Sequence, residues 1–249
     1  MIYYIKPWIY PIILAIEMVF ACIIPYLKST HDGDVEKDFP YISDTGNKGI
    51  SASAFSLLFN IYGFLAFVNI TIRFEQIKVN YSYQKSRPRY IVNIIATVAG
   101  LVSLSGMALV STFQVGTHDG LHNTGAALAF GVGVSYLAMQ SLFSFFLKDI
   151  PGSNIIINIT RLVMSILQFA FLLGSFIVTL QYKQSNSDLS IKRQAAIQEW
   201  ILAFLVSFYF LTFIPEFRHY DWRIQLDETN IKSNKVDINS DSIYNVDSK

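Results

Sequence analysis

Six long apolar runs, each free or nearly free of charge, constrain this chain more than any other feature. They fall at about 7–27, 53–72, 91–113, 121–147, 162–182 and 195–217, and a helix needs roughly 20 apolar residues to cross about 30 Å of hydrocarbon. In lipid every backbone polar group has to be satisfied internally, so each run is expected to be a helix. The expected fold is therefore all-α: a polytopic membrane protein in which residues 1–217 form a bundle of six transmembrane helices. Charge agrees, since 15% of the 249 residues are charged where a soluble domain carries roughly 25%. The first run is longer than a signal-peptide core and no A-x-A site closes it, so an uncleaved span is expected. From 218 to 249 the chain turns to Asn, Asp, Ser and Lys with no amphipathic period. A disordered cytoplasmic tail is the expectation there.

Orientation follows from where the charges lie. Arg73, Lys78, Lys85, Arg87 and Arg89 gather between the second and third runs, whereas Asp32, Asp34, Glu36, Asp38 and Asp44 mark the loop between the first two. Cytoplasmic flanks collect Lys and Arg, so both termini are expected in the cytoplasm and the acidic loop in the lumen or outside. The sequons at Asn69, Asn80 and Asn158 then lie where no glycan is added. A net charge of +1 gives no reason to expect a nucleic-acid partner. Cys22 is the only cysteine, which rules out an intrachain disulfide.

Polar or small residues in unusual places are the candidates for function. Phe39-Pro40-Tyr41-Ile42-Ser43-Asp44-Thr45-Gly46 is bracketed by turn residues and rich in side chains that bond nearby backbone, so an ordered, folded-back loop is expected. Ala99, Ser103 and Gly106 on the third run face the spacing of Gly125, Ala129 and Gly133 on the fourth. Such ridges serve close helix packing or leave a lipid-binding groove. Glu17 sits mid-span, where a charge is costly; it marks function, or is a protonated carboxyl bonded to an Asn such as Asn60 or Asn69, or faces a wet cavity. His118 and His122 have the i, i+4 spacing of a metal pair, although Gly120 and the lack of a third ligand weaken a hydrolase reading. The alternative is a polar hairpin turn with His122 capping the fourth span. No phosphate loop, nucleophile elbow or paired intramembrane carboxylates occur in the sequence. We therefore expect no catalytic residue, cofactor or metal, and surroundings of membrane lipids and other membrane proteins.

Several stretches resemble the DRAM (DNA-damage-regulated autophagy modulator) proteins of the wider Frag/DRAM/Sfk family. They are Pro40 to Gly46, Asn60-Ile61, Arg73 with Gln76, Gly106 followed by Phe113-Gln114, then His122, Gly125-Ala126, Phe130-Gly131, Gly133 and Tyr136, and finally Glu199-Trp200 and Phe210 to Phe217. Glu17 and His118 stand outside it. The resemblance implies a six-span, non-enzymatic protein of lysosomal or other endomembranes that promotes autophagy, in contact with autophagy proteins and linked to stress-induced cell death (apoptosis). Other branches of the family imply an alternative, a lipid-binding or lipid-remodelling factor of the glycosylphosphatidylinositol or phosphoinositide pathway. In that alternative the third–fourth hairpin groove holds the lipid, with Glu17 or His122 touching its head group.

Overall fold

The computed structural model describes residues 2–82, 84–147, 149–184 and 188–225. Its first span is α1 (Ile9–Asp32), followed by α2 (Gly49–Asn80) and α3 (Arg87–Thr112). The fourth is built from α4 (Asp119–Ala126), a π-helical segment (Ala127–Val132) and α5 (Gly133–Ser144). The fifth is α6 (Ile155–Gln184), and the sixth joins α7 (Leu189–Tyr209) through a 3₁₀ turn (Phe210–Phe213) to α8 (Ile214–Phe217). All six are long and apolar enough to cross a membrane. The all-α, six-span expectation is met.

Several helices overrun the limits drawn from hydropathy. The second span, expected over 53–72, is a helix from Gly49 to Asn80, and the fifth starts at Ile155 rather than 162. An uncharged run measures the hydrocarbon slab, whereas the backbone ladder continues for as long as each N–H finds a carbonyl four residues back. Ends are set by local chemistry. Gly33 closes α1 with φ +76 and sends its N–H to Ser29 and Thr30 carbonyls, the left-handed cap glycine tolerates; Asp188 opens α7 by accepting from Ser190 N–H at 2.8 Å.

Chain order also extends past the expected start of the tail. A strand β2 (Trp222–Gln225) pairs antiparallel with β1 (Ile2–Ile5), matching Ile5 with Trp222. The described stretch 218–225 is thus held against the first strand, and the rest of the expected tail, 226–249, lies outside the described residues. This ribbon puts both described ends of the chain at one end of the bundle; the acidic loop lies at the other. The core joins α1, α2 and the sixth span around Leu14, Phe59, Tyr62, Tyr209 and Phe213. Helix α6 packs on α5 and α7 and turns Val163, Ile166, Leu173 and Phe176 outward, as a lipid-facing surface requires.

Candidate functional site

Two polar layers close the ends of the bundle. The outer one is the Pro40–Gly46 loop, and the sixth span holds it. Glu199 Oε2 accepts from Ile42 N–H at 2.9 Å, and one residue on Trp200 Nε1 donates to Pro40 carbonyl at 2.8 Å. The loop tightens on itself, Thr45 Oγ1 donating to Ile42 carbonyl at 2.6 Å, and Gly46 lies so close on the Phe55 side chain that a Cβ would collide with it. Lys192 adds an ion pair to Asp44 at 2.8 Å. The Tyr41 hydroxyl meets Thr179 Oγ1 at 3.4 Å, and burial pushes that phenol above its usual pKa. Ahead of the motif Phe39 takes φ +49 and leaves its ring 56% exposed. A left-handed conformation at a bulky residue is unusual and persists only when neighbours impose it.

That clamp gives an expected result. Trp200→Phe keeps an aromatic side chain, although a smaller one, and removes one hydrogen bond worth about 1 kcal/mol, so the loop should open at least about fivefold more often. Trypsin cleavage at Lys37 in nanodiscs reads the opening directly; an unchanged cleavage rate would contradict the clamp.

The inner layer escaped the sequence reading. Arg73, placed there in the basic flank between the second and third runs, is 1% exposed, and Arg161 and Glu216 are 0% and 1% exposed. All three meet. Glu216 pairs with Arg73 Nη1 through one oxygen and with Arg161 Nη1 at 2.8 Å through the other. Arg73 also donates to Gln76 Oε1 at 2.6 Å and Gln140 Oε1 at 3.1 Å, and Arg161 donates to Ser144 Oγ, Thr212 Oγ1 and Thr212 carbonyl. Both guanidinium carbons lie over the Phe213 ring, at 4.8 and 4.5 Å, within cation–π range. The correction has a physical cause: each charge ends an apolar run, which reads as a solvated flank unless a partner at the same depth is known.

The other candidates resolve individually. Glu17 is half-buried, and its closed-off Oε1 has no partner among the described residues. Asn60 and Asn69 turn their amides to Ser56 and Leu65 carbonyls of their own helix instead. His122 does not cap its own helix, whose N-cap is His118 with no side-chain bond. It is buried and donates from Nδ1 to Phe113 carbonyl at 2.7 Å, satisfying an orphan carbonyl at the end of α3. His118 packs edge-on against the Phe113 ring, their centroids 5.6 Å apart. Gln114 lines a cleft between the outer ends of α2 and α3. Gly125 presses on α3: a Cβ there would sit 2.8 Å from Gly106 carbonyl oxygen. The hairpin groove of the lipid alternative is therefore filled by backbone, and no lipid fits between α3 and α4 at that point.

Between the layers lies an apolar cavity of about 60 Å³, bounded by Phe59, Tyr62, Phe130, Tyr136 and Phe210, with Glu199 at its outer end. That carboxylate is occupied by the loop. Residues 3–220 match the family described as the Frag1/DRAM/Sfk1/Cwh43P N-terminal domain. The chain belongs to this family. Among its relatives, human "DNA damage-regulated autophagy modulator protein 1" is 32% identical over 226 residues, covering 87% of this chain and 93% of that protein. The Bos taurus "DNA damage-regulated autophagy modulator protein 2" is 28% identical over 230 residues, 86% and 85% of the two chains. The Xenopus laevis "Modulator of macroautophagy TMEM150B-B" is 28% identical over 213 residues, 85% and 86%. No solved structure matches. For this member of the Frag1/DRAM/Sfk1 family, the geometry gives the wording at Glu199-Trp200 a purpose: those two side chains hold the loop at Pro40 and Ile42.

Proposed function

We infer that this chain is a non-enzymatic, multi-pass membrane regulator of autophagy, resident on lysosomal or other endomembranes and linked to stress-induced cell death. Both termini face the cytoplasm and the clamped loop faces the lumen. The observation that carries the reading is a loop fixed by Glu199 and Trp200 that presents an exposed, strained Phe39 beside Asp38 and Asp44. A rigid aromatic on an ordered loop is the kind of surface that recognises a protein partner. The relatives' names, all autophagy modulators, supply the process. The orientation draws support from the Lys and Arg gathered between the second and third spans and the acidic residues gathered between the first two.

The test depletes the chain and reads autophagic flux, then restores it with tagged wild type or Phe39→Ser while scoring lysosomal, endoplasmic-reticulum and plasma-membrane markers. The expected result is a fall in flux, lysosomal signal, rescue by wild type and failure of rescue by Phe39→Ser at equal abundance. Normal flux after depletion would overturn it.

A further inference from the structure

The gap between α2 and α3 has a graded chemistry that no step above uses. At its outer end it is lined by Ser53, Ser56 and Asn60 of α2 and by Ser111, Thr112 and Gln114 at the end of α3. Farther in, Asn60 continues the same track into an apolar groove of about 440 Å³ flanked by Gly63, Phe64 and Phe67 on one side and Leu101 and Ala108 on the other. Phe59, Leu104 and Met107 belong both to this groove and to the wall of the central cavity. The sizes lie within the roughly 300–1,000 Å³ of small-molecule sites. Positions 53, 56, 60, 63 and 67 recur every three or four residues, so one stripe of α2 carries hydroxyls and an amide at one end and nothing polar at the other.

Two observations say what fills it. Asn60 is exposed and lies about 16 Å along the helix from Gly49 by rise per residue, inside the depth of the hydrocarbon. Its Nδ2 is spent on Ser56 carbonyl, and its Oδ1 has no partner among the described residues. With no water at that depth an amide oxygen needs a donor from whatever lies beside it. Asn47 Oδ1, in the same cleft, is closed off from solvent and equally without a partner. Second, the lining holds amides and hydroxyls and no charged residue. A phosphate head would lack a cation, whereas a neutral hydroxyl head finds acceptors. Gly63 opens the floor: a Cβ there would meet nothing within 4 Å.

We propose that the α2–α3 groove binds one membrane lipid with an uncharged, hydroxyl-bearing head of the diacylglycerol class, the head hydroxyl on Asn60 and one acyl chain along Gly63 toward Phe59 and Met107. This site is separate from the clamped loop and does not require it to engage a partner.

The experiment uses the intact chain in phosphatidylcholine nanodiscs containing a trace of diazirine-acyl diacylglycerol, or of phosphatidylserine bearing the same chain, with cross-links mapped by peptide mass spectrometry. Diacylglycerol should label residues 53–67 and 101–114 in preference to the lipid-facing side of α6. Gly63→Leu should cut that labelling roughly tenfold, the effect of about 1.4 kcal/mol, with the melting temperature unchanged. Asn60→Leu should abolish the preference for diacylglycerol over phosphatidylserine. Labelling spread evenly over α6, equal labelling by phosphatidylserine in the wild type, or indifference to Gly63→Leu overturns the site. If Gly63→Leu does not fold, Ala108→Phe fills the same groove from α3 and is read the same way.

Discussion

Glu216→Gln will destabilise the bundle by about 3–5 kcal/mol, the cost of removing one partner from a buried ion pair. The side chain keeps its size and loses its charge, which leaves Arg73 and Arg161 facing each other with both guanidiniums at 1% exposure or less. In the wild type two cations share one carboxylate, whose two oxygens are divided between them. The cluster therefore carries one excess positive charge, and the order of effects follows. Arg73→Met leaves Arg161 and Glu216 as a neutral pair with its bonds to Ser144 and Thr212 intact, so it should cost less than Glu216→Gln although it removes a larger group. Arg161→Met also strips the bonds to Ser144 and Thr212 and should fall between them. Thermal unfolding in detergent, followed by intrinsic Trp fluorescence, gives the ranking. A Glu216→Gln chain as stable as wild type, or less affected than Arg73→Met, would show that the excess charge is neutralised by something other than this carboxylate.

The six spans were legible because the hydrocarbon slab imposes length and apolarity on every segment that crosses it. Loop and clamp were half legible. Turn chemistry gave an ordered Pro40–Gly46, but the residues that order it, Glu199 and Trp200, are 157 and 160 positions from the groups they bond, and no local period links them. The inner ion cluster was invisible for a different reason. Arg73, Arg161 and Glu216 each sit where an apolar run stops, and a charge there is ordinarily a solvated anchor. Alternation of the spans supplies the missing signal: the end of the second, the start of the fifth and the end of the sixth all come to one side of the membrane, at one depth. Two bases and an acid placed there can meet. The cap expected at His122 looks along its own helix, whereas its Nδ1 reaches back across the hairpin to Phe113 carbonyl. For Glu17 the sequence raised the cost of the charge and the described residues supply no partner for its Oε1.

Gly106→Ala should destabilise the chain by about 3 kcal/mol, at the upper end of what overpacking costs, although it adds one methyl and improves helix propensity. The reason is what the methyl would strike. A Cβ at Gly106 would lie 2.5 Å from the Ala129 backbone nitrogen and 2.6 Å from the Gly125 carbonyl oxygen, and one at Gly125 would lie 2.8 Å from the Gly106 carbonyl oxygen and 2.9 Å from the Val110 nitrogen. The two glycines thus face each other with backbone on backbone, and neither helix can give way by turning a side chain. Between membrane helices this close approach replaces the hydrophobic drive that water would provide. It is reinforced by Ser103, whose hydroxyl donates to Ala129 carbonyl at 3.0 Å inside the π-helical segment Ala127–Val132, where the widened turn leaves carbonyls less fully used by the helix itself. Gly133→Ala is the internal comparison, because the atom nearest a Cβ there is Ser103 Oγ, which can rotate away; its loss should be smaller. Gly63→Ala, with nothing within 4 Å, should leave stability unchanged or raise it by up to about 1 kcal/mol. Melting temperatures in the order Gly63→Ala, Gly133→Ala, Gly106→Ala, highest first, would establish that α3 and α4 meet by backbone contact. Equal values for Gly106→Ala and Gly63→Ala would mean that the hairpin is looser than this contact requires, and would reopen it as a groove for lipid.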